Sequence, residues 1–172
     1  DDMSSGRDEN ARDIVSAGCK LHYCDYCNIS TLIEQKKFDV VFHLGAVPRV
    51  LYSVTHPIAT TECNVMSTLQ LLEACRGNVG RFIFSSSSAV VGDLTPEQLP
   101  SDEFVIRRPK SPYAVQKSTI EDYCRVYSEL YGLDTISLRY FNVFGPRQYG
   151  DSPYSTVISA WCNSLVSTGT LR

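Results

Sequence analysis

Tyr113 and Lys117 stand in the stretch Ser111-Pro112-Tyr113-Ala114-Val115-Gln116-Lys117. On a helix that spacing places a phenol and an ammonium group on one face, separated by about 6 Å of rise. Such a pair can pass a proton if both groups reach one groove. The ordinary alternative is a tyrosine packed near a proline loop and a solvated lysine. Three further stretches carry polar residues immediately after an apolar run: Leu44-Gly45-Ala46, Ser85-Ser86-Ser87-Ser88 and Tyr140-Phe141-Asn142. Different chemistry is on offer at Cys19, His22, Cys24 and Cys27, where Cys24 and Cys27 have a spacing that zinc knuckles use. Residues 19–24 read as a strand, however, which turns Cys19 and His22 to opposite faces. No second Cys-x-x-Cys pair occurs, so no metal is expected.

The elements that must position these groups follow from the apolar period. Residues 8–17 read as a short helix closed by Gly18, 19–24 as a strand and 30–37 as a helix. Residues 38–45 are β-branched and aromatic almost without charge, the composition of a strand covered on both faces. A helix is expected over 56–75, with Val65, Leu69, Leu72 and Cys75 at helical spacing and Gly77 beyond its end. Residues 81–84 form a second buried strand running into the serines, and the proline-rich stretch 94–112 is a loop. A helix over 113–131 closed by Gly132, a strand over 135–141 and a helix over 154–165 complete the chain. Alternating strands and helices predict an α/β fold, a doubly wound parallel sheet with helices on both faces and ligands beyond the C-terminal strand ends. The polar stretches after residues 44, 84 and 140 lie at those ends.

The 172 residues carry 19 acidic and 16 basic side chains, a formal charge of -3. With no polybasic tract, that balance argues against binding nucleic acid or a membrane surface by bulk electrostatics. The longest apolar run, 38–47, contains Asp39 and His43 and falls far short of the roughly 20 residues of a membrane helix. The 7 cysteines have no paired spacing, and no secretory leader is evident, so reduced thiols and a cytoplasmic setting are expected.

Four ordered stretches bear a likeness to one family: residues 42–46, the serine run through Gly92, residues 111–117, and Leu138-Arg139-Tyr140-Phe141-Asn142-Val143-Phe144-Gly145-Pro146-Arg147. Together they resemble the extended short-chain dehydrogenase/reductase family, and within it the nucleotide-sugar epimerases. The likeness runs from Asp1 to about Trp161 and includes the helix bearing Asn64. It implies that Tyr113 transfers a proton on a sugar hydroxyl while a hydride moves between that carbon and nicotinamide. A free tyrosine is a poor base at neutral pH, and closing about 3 pK units takes roughly 4 kcal/mol. A lysine ammonium at about 4 Å supplies that order of energy at an effective dielectric near 20, which is the role implied for Lys117.

Ser87 is implied to hydrogen-bond the reacting oxygen, because a hydroxyl both donates and accepts. Ser86 and Ser88 are the one-position alternatives, and capping after the strand is the ordinary use of such serines. Ser87, Ser88, Asn142, Arg147 and Tyr154 are the implied substrate contacts, with Arg147 near the diphosphate; a surface ion pair suits Arg147 equally. The implied NAD contacts are Asp1 on the adenosine ribose, Asp25 and Tyr26 by the adenine, and Leu44, Gly45 and Ala46 at the pyrophosphate. Asn64, Tyr113 and Lys117 complete them. A carboxylate at Asp1 repels a 2'-phosphate and favours NAD over NADP. Helix capping by Asp25 and terminal disorder at Asp1 are the plain alternatives.

Departures from the family pattern carry information too. No G-x-x-G-x-x-G or G-x-G-x-x-G occurs, since Gly77 and Gly80 follow a helix instead of a strand. If Asp1 ends the family's second strand, the chain lacks the first strand, the glycine turn and most of the second strand, and the C-terminal substrate lobe as well. Residues 1–172 then read as a partial NAD-binding epimerase/dehydratase domain. The strand order 3-2-1-4-5-6 leaves 19–24 two places from 38–45, a mid-sheet gap that predicts an unstable isolated chain. Val91 stands where the family usually carries tyrosine, and Gly45 where alanine is commoner.

Relatives that dehydrate the sugar place an Asp-Glu pair after the catalytic hydroxyl, because eliminating water needs an extra acid and base. Here Ser88-Ala89 occupy those positions. The expectation is therefore C4 epimerisation of a UDP-sugar (UDP-glucose, UDP-GlcNAc or a UDP-uronic acid) through a 4-keto intermediate, with NAD permanently held. Residues 47–49 and 152–155 are similar to those of epimerases acting on UDP-N-acetylhexosamines or the corresponding uronic acids. The alternatives are a catalytically inactive relative serving as a binding module, and another sugar-nucleotide oxidoreductase. Helices 56–75 and 113–131 are the implied homodimer surfaces.

Overall fold

The computed structural model describes residues 1–4, 6–150 and 155–170. They fall into two compact units, Asp1–Arg139 and Tyr140–Arg172. The first begins with helix α1 (Asp8–Ser16), which carries Asp8 and Glu9 in the turn where the helix dipole favours anions. Helix α2 (Ser30–Lys36), strand β1 (Val40–His43) and helix α3 (Val50–Thr55) follow. Pro57 then starts helix α4 (Pro57–Thr61), which passes through a π-helical stretch (Glu62–Ser67) into helix α5 (Thr68–Cys75). The expected helix over 56–75 is thus present with a widened turn inside it. Strand β2 (Arg81–Ser87) leads into a 3-10 turn (Ser88–Val91), and after the proline-rich loop come helix α6 (Pro112–Tyr131) and strand β3 (Asp134–Tyr140). The second unit carries helix α7 (Val157–Thr168), three residues later than its apolar pattern suggests.

The sheet has three strands in the order β1-β2-β3. β1 runs parallel to β2, with Val41 opposite Phe82 and His43 opposite Phe84. A parallel pair requires a crossover, which the helical run Pro57–Cys75 supplies. Phe82 and Phe84 turn into one core with Ile33 of α2, Leu71, Leu72 and Cys75 of α5, and Ile120, Cys124 and Tyr127 of α6. Each fully buried phenylalanine contributes about 1.5–3 kcal/mol relative to exposure.

Two expectations are corrected. Helices cover one face of the sheet in this unit: Val40 and Phe42 of β1 remain 40% and 66% exposed, and Ile136 and Leu138 of β3 are 37% exposed. The near-continuous apolar run of residues 38–45 predicted cover on both faces, but burial alternates along it because α2, α5 and α6 all pack on the same side. The second correction is residues 19–24, which are irregular rather than a strand. A strand needs a ladder, and here its partner is Asp1 alone. The Asp1 amino group donates to the His22 carbonyl at 3.0 Å and the Cys24 N–H donates to the Asp1 carbonyl at 3.1 Å. Those two bonds straddle Tyr23 in the pattern of a parallel bridge one residue long.

Among the described residues no helix is long and apolar enough to cross a membrane. No three His, Cys, Asp or Glu side chains among the described residues gather to hold a metal ion. Cys19 and Cys24 carry free thiols, and the side chain of Cys27 lies outside the description.

Candidate active site

Helix α6 brings the first-noticed pair to the end of β2, and its start is held twice. The Tyr113 N–H donates to the buried Ser53 hydroxyl of α3 at 3.0 Å, and the Ala114 N–H donates to the Ser111 side chain at 3.2 Å. Pro112 occupies the first turn, where its missing N–H costs nothing. At the far end Gly132 adopts φ +68° and its N–H closes onto the Ser128 carbonyl. The face presented to β2 carries Tyr113, Lys117 and Glu121, all buried.

Each of these three side chains meets a different serine. The Tyr113 phenol lies near enough to Ser87 for that side chain to lower its pKa. Lys117 Nζ donates to the Ser85 carbonyl at 2.8 Å, and Ser86 Oγ donates to Glu121 Oε1 at 2.5 Å. Ser87 Oγ also accepts the Ala89 N–H at 3.2 Å, so it caps the turn that follows. Of the three serines singled out from the sequence, Ser87 therefore lies near Tyr113, Ser86 is committed to Glu121, and Ser88 opens the 3-10 turn.

Burial shifts both groups of the pair. Burial holds the Tyr113 phenol above its ordinary value, with the Ser87 side chain pulling the other way. Burial also draws Lys117 down to about 8, opposed by Cys63. The ammonium is occupied by the Ser85 carbonyl and lies 4.7 Å from the Phe84 ring centroid against 5.8 Å from that of Tyr113. Lys117 in turn helps burial push His43 down to about 3. The Thr68 hydroxyl donates to the Asn64 carbonyl at 2.9 Å, so at its contact with His43 Nε2, also 2.9 Å, the ring nitrogen is the donor.

The π-helical stretch shapes the other wall. Its Glu62, Cys63 and Asn64 carbonyls accept hydroxyls from Ser67, Tyr26 and Thr68 respectively. Asn64 itself is buried and fully used: Oδ1 accepts the Val47 N–H at 2.7 Å, while Nδ2 donates to the Val47 carbonyl at 3.1 Å and to Gln116 Oε1 at 2.8 Å. Gln116 continues to the Thr60 and Thr61 hydroxyls. Asn64 thus clasps the loop after β1 to helix α6. The sequence singled out Asn64 and the stretches holding Val47 and Gln116 separately, but nothing in it joined them, because they lie far apart along the chain.

Gly45 has a local reason to differ from alanine. A Cβ there would stand 2.9 Å from the Tyr26 ring, and that ring packs edge-on against His43 at 4.9 Å between centroids. Tyr26 thereby seals the space between the end of β1 and the π-helical stretch. Leu44 is 68% exposed and Ala46 half-buried beside it. Asp1 sits at the end of the one-residue bridge, its carboxylate accepting the Met3 N–H at 2.7 Å, and Asp25 is exposed one residue before Tyr26. Asn142 and Arg147 belong to the second unit, where both are exposed and Arg147 has φ +68°. Tyr154 lies outside the described residues.

The three-stranded α/β sheet agrees with what comparison with known proteins finds. Residues 2–170 match the NAD dependent epimerase/dehydratase family, and the chain belongs to it. It is 40% identical over 135 residues to the uncharacterized UDP-glucose epimerase YtcB of Bacillus subtilis, covering 76% of this chain and 40% of that protein. Among solved structures, the UDP-N-acetylglucosamine 4-epimerase of Methanobrevibacter ruminantium, in complex with UDP-N-acetylmuramic acid, aligns with a TM-score of 0.89 at 38% identity. The UDP-glucose 4-epimerase of Thermus thermophilus, complexed with NAD, aligns at 0.84 and 32%. Each alignment covers 96% of this chain and 53% of the other. The chain therefore spans about half the length of the solved relatives, and less of YtcB.

Proposed function

We propose that the protein of which these residues form the site is an NAD-dependent UDP-sugar 4-epimerase. The observation that carries this reading is the Tyr113–Lys117 pair, buried one turn apart on one face of α6, with Lys117 held on the Ser85 carbonyl at the serine run that ends β2. NAD, when bound, would take up and return a hydride at C4, and the residues fit it. Lys117 offers an ammonium, Asp1 an exposed carboxylate suited to ribose hydroxyls and hostile to a 2'-phosphate, and Gly45 a backbone without a side chain. Tyr113 holds the proton of the sugar hydroxyl, and Ser87 serves the same oxygen as donor or acceptor while it alternates between alcohol and ketone. A phenol kept above its ordinary value is protonated at neutral pH and holds that proton tightly. To act as base it must shed that proton, which needs positive charge beside the phenol oxygen.

No acidic residue lies between Ser87 and Asp93, which supports epimerisation over elimination of water. UDP-glucose, UDP-GlcNAc and UDP-uronic acids are the substrates considered, with Asn142, Arg147 and Tyr154 as the residues proposed to meet them. Pairing of two copies belongs to the same reading: Ile58 and Met66 on one helical run and Val115 and Leu130 on α6 are exposed apolar side chains at the expected surfaces.

Incubating the protein with UDP-GlcNAc and UDP-glucose and following the 4-epimers by NMR tests the reaction. Tyr113→Phe is expected to lower the rate by about a hundredfold or more, and an unchanged rate excludes the mechanism. A second reading, a non-catalytic binding module, draws on the exposed apolar side chains of Val40 and Phe42. NAD released on denaturing the purified chain and weighed by mass spectrometry separates the two.

A further inference from the structure

The third contact of the α6 stripe belongs to neither proton transfer nor cofactor binding as described. Glu121 is 9% exposed. Its carboxylate accepts Ser86 Oγ at 2.5 Å and both arms of the Arg139 fork, Nε at 3.0 Å and a terminal nitrogen at 2.8 Å, with Arg107 at 3.5 Å. Arg107 is anchored in turn on the Ser118 carbonyl at 2.9 Å and on Asp122 at 2.6 Å. One carboxylate so joins α6 to β2, β3 and the proline-rich loop. Buried ion pairs add little net stability over apolar packing, and their best-attested use is to fix register. That use fits the geometry. Ile120, Cys124 and Tyr127 hold α6 on the sheet through apolar contact, which is non-directional, whereas a reacting pair has to be placed within about 0.5 Å.

We propose that Glu121 is a positioning residue for the Tyr113–Lys117 pair: by fixing Ser86 on α6, it sets the stagger at which Ser85 meets Lys117 and Ser87 meets Tyr113. The proposal rests on reading that pair as the reacting groups. Ser86 is the residue between the two contact points, so its hydroxyl locks the strand segment that carries both. Glu121 stands one turn beyond Lys117 and two beyond Tyr113, so the three contacts share one helix face.

Two variants that keep the net charge test it. Ser86→Ala removes the strand contact, and Glu121→Asp keeps the carboxylate but shortens its reach. The titration of Lys117, which burial places at about 8, is followed by NMR of the lysine side chains and assigned with Lys117→Met. In both variants its midpoint is expected to fall by about half a pH unit or more as the ammonium loses the Ser85 carbonyl. Glu129→Gln, which breaks the exposed Arg125–Glu129 pair on the same helix, leaves it in place. A Lys117 midpoint unmoved in both variants overturns the proposal; should Glu121→Asp fail to fold, Ser86→Ala decides alone. In turnover, both variants are expected to lower kcat about tenfold with KM unchanged, and an unchanged kcat also overturns it. Tyr113→Phe at full rate would instead remove the functional reading, while the Lys117 titration still judges the placement.

Discussion

On the α6 side of the sheet, Phe82, Phe84 and Ser86 are 0%, 1% and 4% exposed, whereas on the opposite side Phe42 and Leu138 are 66% and 37% exposed. The buried side holds the polar groups as well: Lys117, Glu121, Asn64, Gln116 and His43 are all paired there. Among the described residues no buried side-chain nitrogen or oxygen lacks a partner. The comparison separates two kinds of completeness. The corner that would handle the proton closes on itself within Asp1–Arg139, while the apolar outward face is closed by none of the helices packed on the sheet in that unit.

The largest effect that could break this contrast is a cavity on the closed side. Phe84→Ala is expected to cost about 3–5 kcal/mol in urea unfolding, and Phe42→Ala on the open side less than about 0.5. Equal costs would mean the two faces are equally packed. Acid sharpens the contrast next. Folding depresses His43 from 6.5 to about 3, so the folded state refuses a proton that the unfolded chain takes. The stabilisation is whole above pH 6.5 and is lost as pH falls toward 3, by at most about 1.4 kcal/mol per pH unit. Thermal unfolding across that window shows it, and His43→Gln should flatten the slope. Smallest in stability is Phe42→Lys, within about 0.5 kcal/mol of the parent; light scattering is expected to show less self-association, because a charge on an open apolar strand blocks edge and face pairing.

Much of this was readable from residue order. The Tyr113–Lys117 spacing and the Gly132 stop placed α6 within a residue, because glycine at a left-handed position and proline at a helix start are local signals, whereas β2 starts at Arg81 as expected but runs three residues further, through Ser87. Residues 19–24 were misread for the opposite reason. Their β-like pattern is local, but a strand exists only where another strand lies alongside, and Asp1 supplies a single residue. Cover on both faces of residues 38–45 was misjudged likewise, since an apolar residue records an affinity for burial and says nothing of the layer that provides it. The Glu121 contact was half visible: its spacing from Lys117 lies in the sequence, whereas its partners Ser86 and Arg139 are united only by the sheet.

The widened turn at Glu62–Ser67 bears on how this rod of nineteen residues, Pro57–Cys75, meets two obligations. A straight α-helix advances about 100° per residue, so an extra residue in one turn rotates everything downstream by that angle without ending the helix. Upstream, Thr60 is aimed at Gln116, where Asn64 of the widened turn itself joins it; downstream, Leu71, Leu72 and Cys75 are aimed at the phenylalanines of β2. The π segment is the phase adjuster between those two aims. Shortening it by one residue would leave a sound helix whose halves no longer point at their separate targets.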